Sequence, residues 1–141
     1  MIRSNQGHLH LRFLLTVQTK LLSQITRGRS GMEQYCFIII TVGPDEEDDD
    51  YRAWYECQHM PDVLDVPGFV SAQRFRLQEE PENMRRYLTL FEIETDDIEK
   101  SMRTLRQRAG TSLMPLMKGA GQQTAQRMVG RAVMPKLTNT P

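Results

Sequence analysis

The residues best equipped for a reaction lie between Trp54 and Arg76, in the run WYECQHMPDVLDVPGFVSAQRFR. His59 is the single histidine after residue 31, and an imidazole is the side chain that gains and loses a proton near neutral pH. It is flanked by an aromatic pair, Trp54 and Tyr55, and by a rigid turn at Pro67 and Gly68. That setting suits an acid/base group or a ligand-orienting group. It equally suits a histidine that caps a helix end or binds the turn backbone. No substrate is written in these residues.

Other kinds of site are missing from the sequence. Cys36 and Cys57 are not part of a CxxC pair; they read as small buried hydrophobes, and two unpaired thiols suggest a reducing compartment. The acids from Asp45 to Asp50 lack the alternation and mid-loop glycine of a calcium loop. They suit a loop entering a helix N-terminus, where the helix dipole favours negative charge. No metal cluster, phosphate loop, nucleophile elbow or paired-carboxylate motif stands out, which argues against hydrolase and nucleotide chemistry.

Gln34–Val42 (QYCFIIITV) is apolar on both alternation sets and reads as a central strand covered on both sides. A helix follows with Tyr51, Trp54 and Tyr55, its end perturbed by Pro61, and a short turn over Asp62–Asp65 leads to Pro67 and Gly68. Adjacent residues do not share a helix face, so at least one of Trp54 and Tyr55 is expected to be core or a dimer contact. Phe69–Leu77 is a strand with Phe69, Ser71, Gln73 and Phe75 on one face and Val70, Ala72, Arg74 and Arg76 on the other. Residues 79–83 (EEPEN) make a hairpin connection to a strand over Arg86–Ile93. Thr95 is the expected N-cap of a helix with its apolar stripe at Ile98, Met102, Leu105 and Ala109, ended by Gly110. Gln123–Met134 reads as the last strand, weakened by Gly130.

Strand, helix, strand, strand, helix, strand is the ferredoxin-like βαββαβ order, an α+β sandwich with a four-stranded antiparallel sheet. Its two helices cover one sheet face. The apolar residues on the other face favour a homodimer that closes two sheets into a dimeric α/β barrel. The domain is expected over 32–141. Residues 1–31 carry five basic residues and no acid, the composition of a transit peptide or of an extension translated from an upstream start. A poorly ordered tail and a cytoplasmic protein are expected, mitochondrial if the transit reading holds. After residue 31 eighteen acids face thirteen Lys and Arg. No basic stripe interleaved with aromatics appears there, so nucleic acid is not an expected partner. Polar interruptions at Gln18–Lys20 exclude a membrane span.

The segment 54–75, with Trp54, Tyr55, His59, Pro61, Pro67, Gly68, Phe69 and the Arg74–Phe75 pair, resembles the dimeric α/β-barrel superfamily, in particular its EthD-like branch. The likeness spans about residues 34–134 and is specific only around that motif. The superfamily includes polyketide cyclases, muconolactone-type isomerases, small decarboxylases, haem-degrading monooxygenases and proteins of no known activity, so it does not fix a reaction. It implies a small aromatic or polyketide-like organic ligand, no cofactor and no metal. His59 would move a proton, Trp54 and Tyr55 would wall the pocket, Arg74 would steady a carboxylate or enolate oxygen, and Tyr87 would be a phenolic donor. Three functions compete: a cofactor-independent isomerase, cyclase or lyase; a non-catalytic ligand-binding or accessory homodimer; and a haem-binding monooxygenase. Arg74 has a competing role too, holding an acidic helix or a partner subunit.

Overall fold

The computed structural model describes residues 31–43, 49–78, 85–119 and 124–139. The N-terminal extension, the start of the acid run and the EEPEN connection lie outside the described residues. Glu33–Ala132 form one compact unit; residues 1–32 and 133–141 form another, whose described parts carry no helix or strand.

Four strands form from the β-branched and aromatic runs: β1 (Glu33–Gly43), β2 (Phe69–Arg76), β3 (Arg85–Thr95) and β4 (Thr124–Arg131). Their order across the sheet is β2-β3-β1-β4, and every neighbouring pair is antiparallel. This is the ferredoxin-like arrangement expected from the element order, with β4 ending at Arg131, short of Met134. The most apolar strand, β1, occupies a central position.

The described helices lie against one face. Phe37 on β1 and Phe91 and Ile93 on β3 meet Val63, Val66, Phe69 and Met114 in the buried core. Strict alternation from Phe69 would put it with Ser71 and Gln73. A bulge between Phe69 and Ser71 instead turns Phe69 toward the helices, where its ring lies edge-on to Phe91 at 5.7 Å; an extra residue in a strand shifts the facing of what precedes it. On the helix-free face Ile38 and Ile40 pair with Leu90 and Leu88, flanked by Phe75 and Met128, both more than a third exposed.

The first helical stretch does not stop at Pro61. It runs as α1 (Asp49–Trp54), a wider π turn (Tyr55–His59) and α2 (Met60–Leu64), with right-handed helical backbone through both junctions. In a regular helix Pro61 would lack the N–H that bonds to Cys57, and its ring would crowd that carbonyl. The π turn immediately before it, closed by the Met60 N–H on the Tyr55 carbonyl, supplies the room. Cys57 is exposed and Cys36 only partly buried, so neither is a buried hydrophobe.

α3 (Ile98–Arg108) is capped by Asp97, whose carboxylate accepts from the Lys100 N–H at 2.9 Å. Thr95, the expected cap, is buried and shares a hydrogen bond with the Ser101 hydroxyl at 3.2 Å. Asp97 takes the role because it alone immediately precedes the first helical residue. The turn before β2 closes through Phe69 N–H to Val66 C=O at 3.1 Å, with Pro67 and Gly68 at its two central positions. Gly68 has φ +98°, the left-handed value a type II turn demands at that site. A Cβ there would meet the Ser101 hydroxyl at 2.9 Å and Thr95 Cβ at 3.3 Å. Gly68→Ala should therefore cost roughly 1–3 kcal/mol of stability, read as a lowered denaturant midpoint at unchanged slope.

Candidate functional site

Beside the core, over β1 and β4 on the helix-covered face, lies a cleft of about 540 Å³. That volume suits a small organic ligand. Its floor is Phe37, Ile39 and Thr41 of β1 with Arg127 and Val129 of β4. Tyr51, Trp54, Tyr55 and His59 form one wall, and Met102, Leu105 and Arg106 of α3, with Met114 and Leu116, form the other.

The aromatic wall is built by helical spacing. Tyr51 approaches Trp54 at 5.7 Å and Tyr55 at 5.8 Å between ring centroids, three and four residues on. Trp54 stacks on His59 with centroids 4.8 Å apart and planes 22° apart, although they are five residues apart. In an α-helix five residues turn through about 500°, which leaves the two side chains roughly 140° apart. The i→i+5 bond of the π turn reduces that offset and brings the rings over each other. Tyr55, four residues before His59, lies 5.4 Å from it. Trp54 and Tyr55, adjacent in sequence, both touch the cleft and both pack on the imidazole, and Tyr55, 4% exposed, is also part of the core, as expected of one of the pair.

His59 makes no capping hydrogen bond, and its Nδ1 is buried with no hydrogen-bond partner. Burial pushes its pKa below the ordinary 6.5, opposed by the negative charge of Asp62 one turn on. The ring is therefore a neutral base at pH 7. Asp62 Oδ2 is also buried without a hydrogen bond. Each unmade buried bond costs on the order of 1–3 kcal/mol, and such groups call for a specific explanation.

Arg74 and Tyr87 stand elsewhere. The Arg74 side chain is 9% exposed. Its guanidinium lies 4.6 Å from the Tyr55 ring centroid and 4.3 Å from that of Tyr87, and 3.8 Å from the Glu56 carboxylate. Tyr55 presents one part of its ring to this cation and another to the cleft, while its hydroxyl shares a 2.9 Å hydrogen bond with Thr89. Arg74 thus holds the helix to the β2–β3 ribbon, the competing role weighed from sequence, and neither it nor Tyr87 is among the described cleft-lining residues. The cations that do line it, Arg106 and Arg127, were not singled out by sequence, and neither was Tyr51. The i, i+4 spacing of Met102 and Arg106 carries a signal for one of them; Arg127 has none, because only register with Ile39 shows which way it faces.

No group of three or more potential metal ligands exists among the described residues, and no described helix is long and apolar enough to cross a membrane. No family model matches the sequence, nor does any curated protein. Among solved structures the chain is similar to a mutant of SnoaB, described as a cofactor-independent oxygenase from Streptomyces nogalater. Identity is 13% over 73% of this chain and 96% of that one, at TM-score 0.48. It is also similar to an ethyl tert-butyl ether (EthD) family protein from Bacillus halodurans, at 20% identity over 71% of this chain and 99% of that one, TM-score 0.46. An EthD-family structure thus stands among the similar folds.

The depressed pKa of His59 carries a sign for stability. Between the folded pKa and the unfolded 6.5 the unfolded chain binds the extra proton, so the stabilising contribution is complete above 6.5 and is lost as pH falls through the folded value. Melting curves from pH 8 to 5 should show a decline beginning near 6.5 that is smaller in His59→Gln; equal declines in both proteins would contradict the burial.

Proposed function

We propose that the cleft binds a planar small organic molecule of aromatic or polyketide-like character, and that His59 acts there as acid/base in a cofactor-independent isomerisation, cyclisation or lyase step. One observation carries the reading: a neutral imidazole on the wall of an aromatic cleft, stacked on Trp54, with a buried nitrogen that nothing in the fold satisfies. A group made only for structure would be expected to have its hydrogen bond completed. When His59 takes a proton from a bound substrate, the nearby Asp62 carboxylate favours the imidazolium formed. Trp54 and Tyr55 hold the substrate ring and exclude water.

The test is turnover of a compound found to bind the cleft. His59→Gln should keep the binding and lose roughly 10²–10⁴-fold in rate, and wild-type activity should be flat from pH 7 upward and fall on the acid side below 6.5. Should His59→Gln lower the melting temperature and leave turnover intact, the histidine is structural and the non-catalytic binding reading replaces this one.

We further propose that the helix-free sheet face is covered by a second copy of the chain. Ile38, Ile40, Leu88, Leu90, Phe75 and Met128 share that face, and a contiguous apolar patch of this kind is rarely left in water. Sedimentation should give a dimer for the wild type and a folded monomer for Ile38→Glu; a wild-type monomer at micromolar concentration contradicts the pairing.

A further inference from the structure

We infer that Asp62 is the positioning residue of His59: its carboxylate draws the imidazole proton onto Nδ1 and leaves Nε2 as the atom that takes the substrate's proton. This rests on the acid/base reading of the same histidine and gives it a partner and a tautomer. Two observations meet on one helical segment. His59 Nδ1 and Asp62 Oδ2 are both buried without a hydrogen-bond partner, and their residues are three apart. The backbone between them is regular helix, since His59 stands at the N-cap position of α2 with φ −65° and ψ −47°. Residues at that spacing are surface neighbours whose side chains reach each other by rotation. A lone pair on Nδ1 is repelled by the carboxylate, whereas a proton there is attracted. In a neutral histidine the group met by one nitrogen decides which nitrogen carries the proton. Nδ1 is the buried nitrogen, yet the residue lines the cleft, so the ring edge that meets the cleft is the one bearing Nε2.

The other charged groups nearby do not compete for that proton. Glu56, three residues before His59, is paired with Arg74 at 3.8 Å. Arg106 of α3 and Arg127 of β4, which border the same cleft, are guanidinium groups and have no acceptor. The hydroxyl of Tyr55 is shared with Thr89. Asp62 is the carboxylate whose charge acts on His59, raising its pKa against the effect of burial.

In the structure the Nδ1–Oδ2 bond is open. It closes as the substrate's C–H or O–H bond breaks: the proton goes to Nε2, the electron pair stays on the substrate as an enolate, and Nδ1 keeps its own proton. The imidazolium so formed donates more strongly to the carboxylate than the neutral ring does. A bond completed only during the reaction lowers the barrier without tightening the bound substrate. Catalytic hydrogen bonds that are loose in the free protein and tighten in the complex follow the same logic. The proton returns from Nε2 to the product, and the bond relaxes.

Nitrogen-15 NMR of the imidazole rings in the full-length protein at pH 8 reads the tautomer without any ligand. The chain has three histidines, and the His59 signals are those missing from His59→Gln. In the wild type more than half of the neutral His59 should carry its proton on Nδ1, the reverse of a free histidine. Asp62→Ala should move the proton to Nε2 and lower the His59 pKa further, and Asp62→Glu should keep much of the Nδ1–H form. A wild-type ring protonated mainly at Nε2 overturns the inference by itself, and so does an Asp62→Ala protein with tautomer and pKa unchanged. Either result leaves the acid/base reading of His59 standing. Turnover retained in His59→Gln, by contrast, removes that reading and the catalytic part of Asp62 with it.

Discussion

Everything in the candidate site depends on the π turn at Tyr55–His59. A regular helix there would set Trp54 and His59 on different faces and would bring Pro61 against the Cys57 carbonyl. The wider turn resolves both conflicts at once. It lets the helix pass through a proline without a break, and it gathers Trp54, Tyr55 and His59 into one mutually packed set. Single π turns inside α-helices recur at functional sites because they place side chains that regular spacing cannot. Here the proline makes the irregularity necessary, and the stack is its consequence.

The turn is held from below by Tyr55. Its hydroxyl is tied to the buried Thr89, and its ring bears on the Arg74 guanidinium, which in turn lies on Tyr87. Desolvated cation–π contacts contribute on the order of 1–2 kcal/mol each, whereas the Glu56–Arg74 ion pair, with its carboxylate half exposed, adds at most about 1 kcal/mol. The aromatic sandwich, more than the ion pair, fixes the helix over the sheet. Arg74 itself, with its guanidinium on the two tyrosine rings, is not among the described cleft-lining residues.

The element order and the central place of the apolar β1 could be read from sequence, because each is written in local pattern: β-branched runs and turn residues. What escaped depends on a single extra residue or on register. The bulge before Ser71 reverses the facing of Phe69, and the π turn brings His59 over Trp54. Both are one-residue insertions into a regular period, invisible to an analysis that assumes the period. Thr95 looks a better cap than Asp97 until the strand is seen to run through it. Arg127 sits in a strand with weak alternation, where only pairing with Ile39 tells cleft side from open side.

The cleft borders the core directly. Phe69, Phe91 and Ile93 meet Val63 and Val66, while Phe37 of β1 and Met114 belong both to that core and to the cleft lining. Over β1 and β4 the sheet adds Ile39, Thr41, Val129 and Arg127, and α3 approaches with Met102 and Leu105 rather than with rings. Space is left on the one side of the sheet where the aromatic helix ends in an imidazole. Filling it with larger apolar residues would bury more surface. The proposed ligand would occupy this half-filled part of the interior, bordered by the histidine whose Nδ1 has no hydrogen-bond partner.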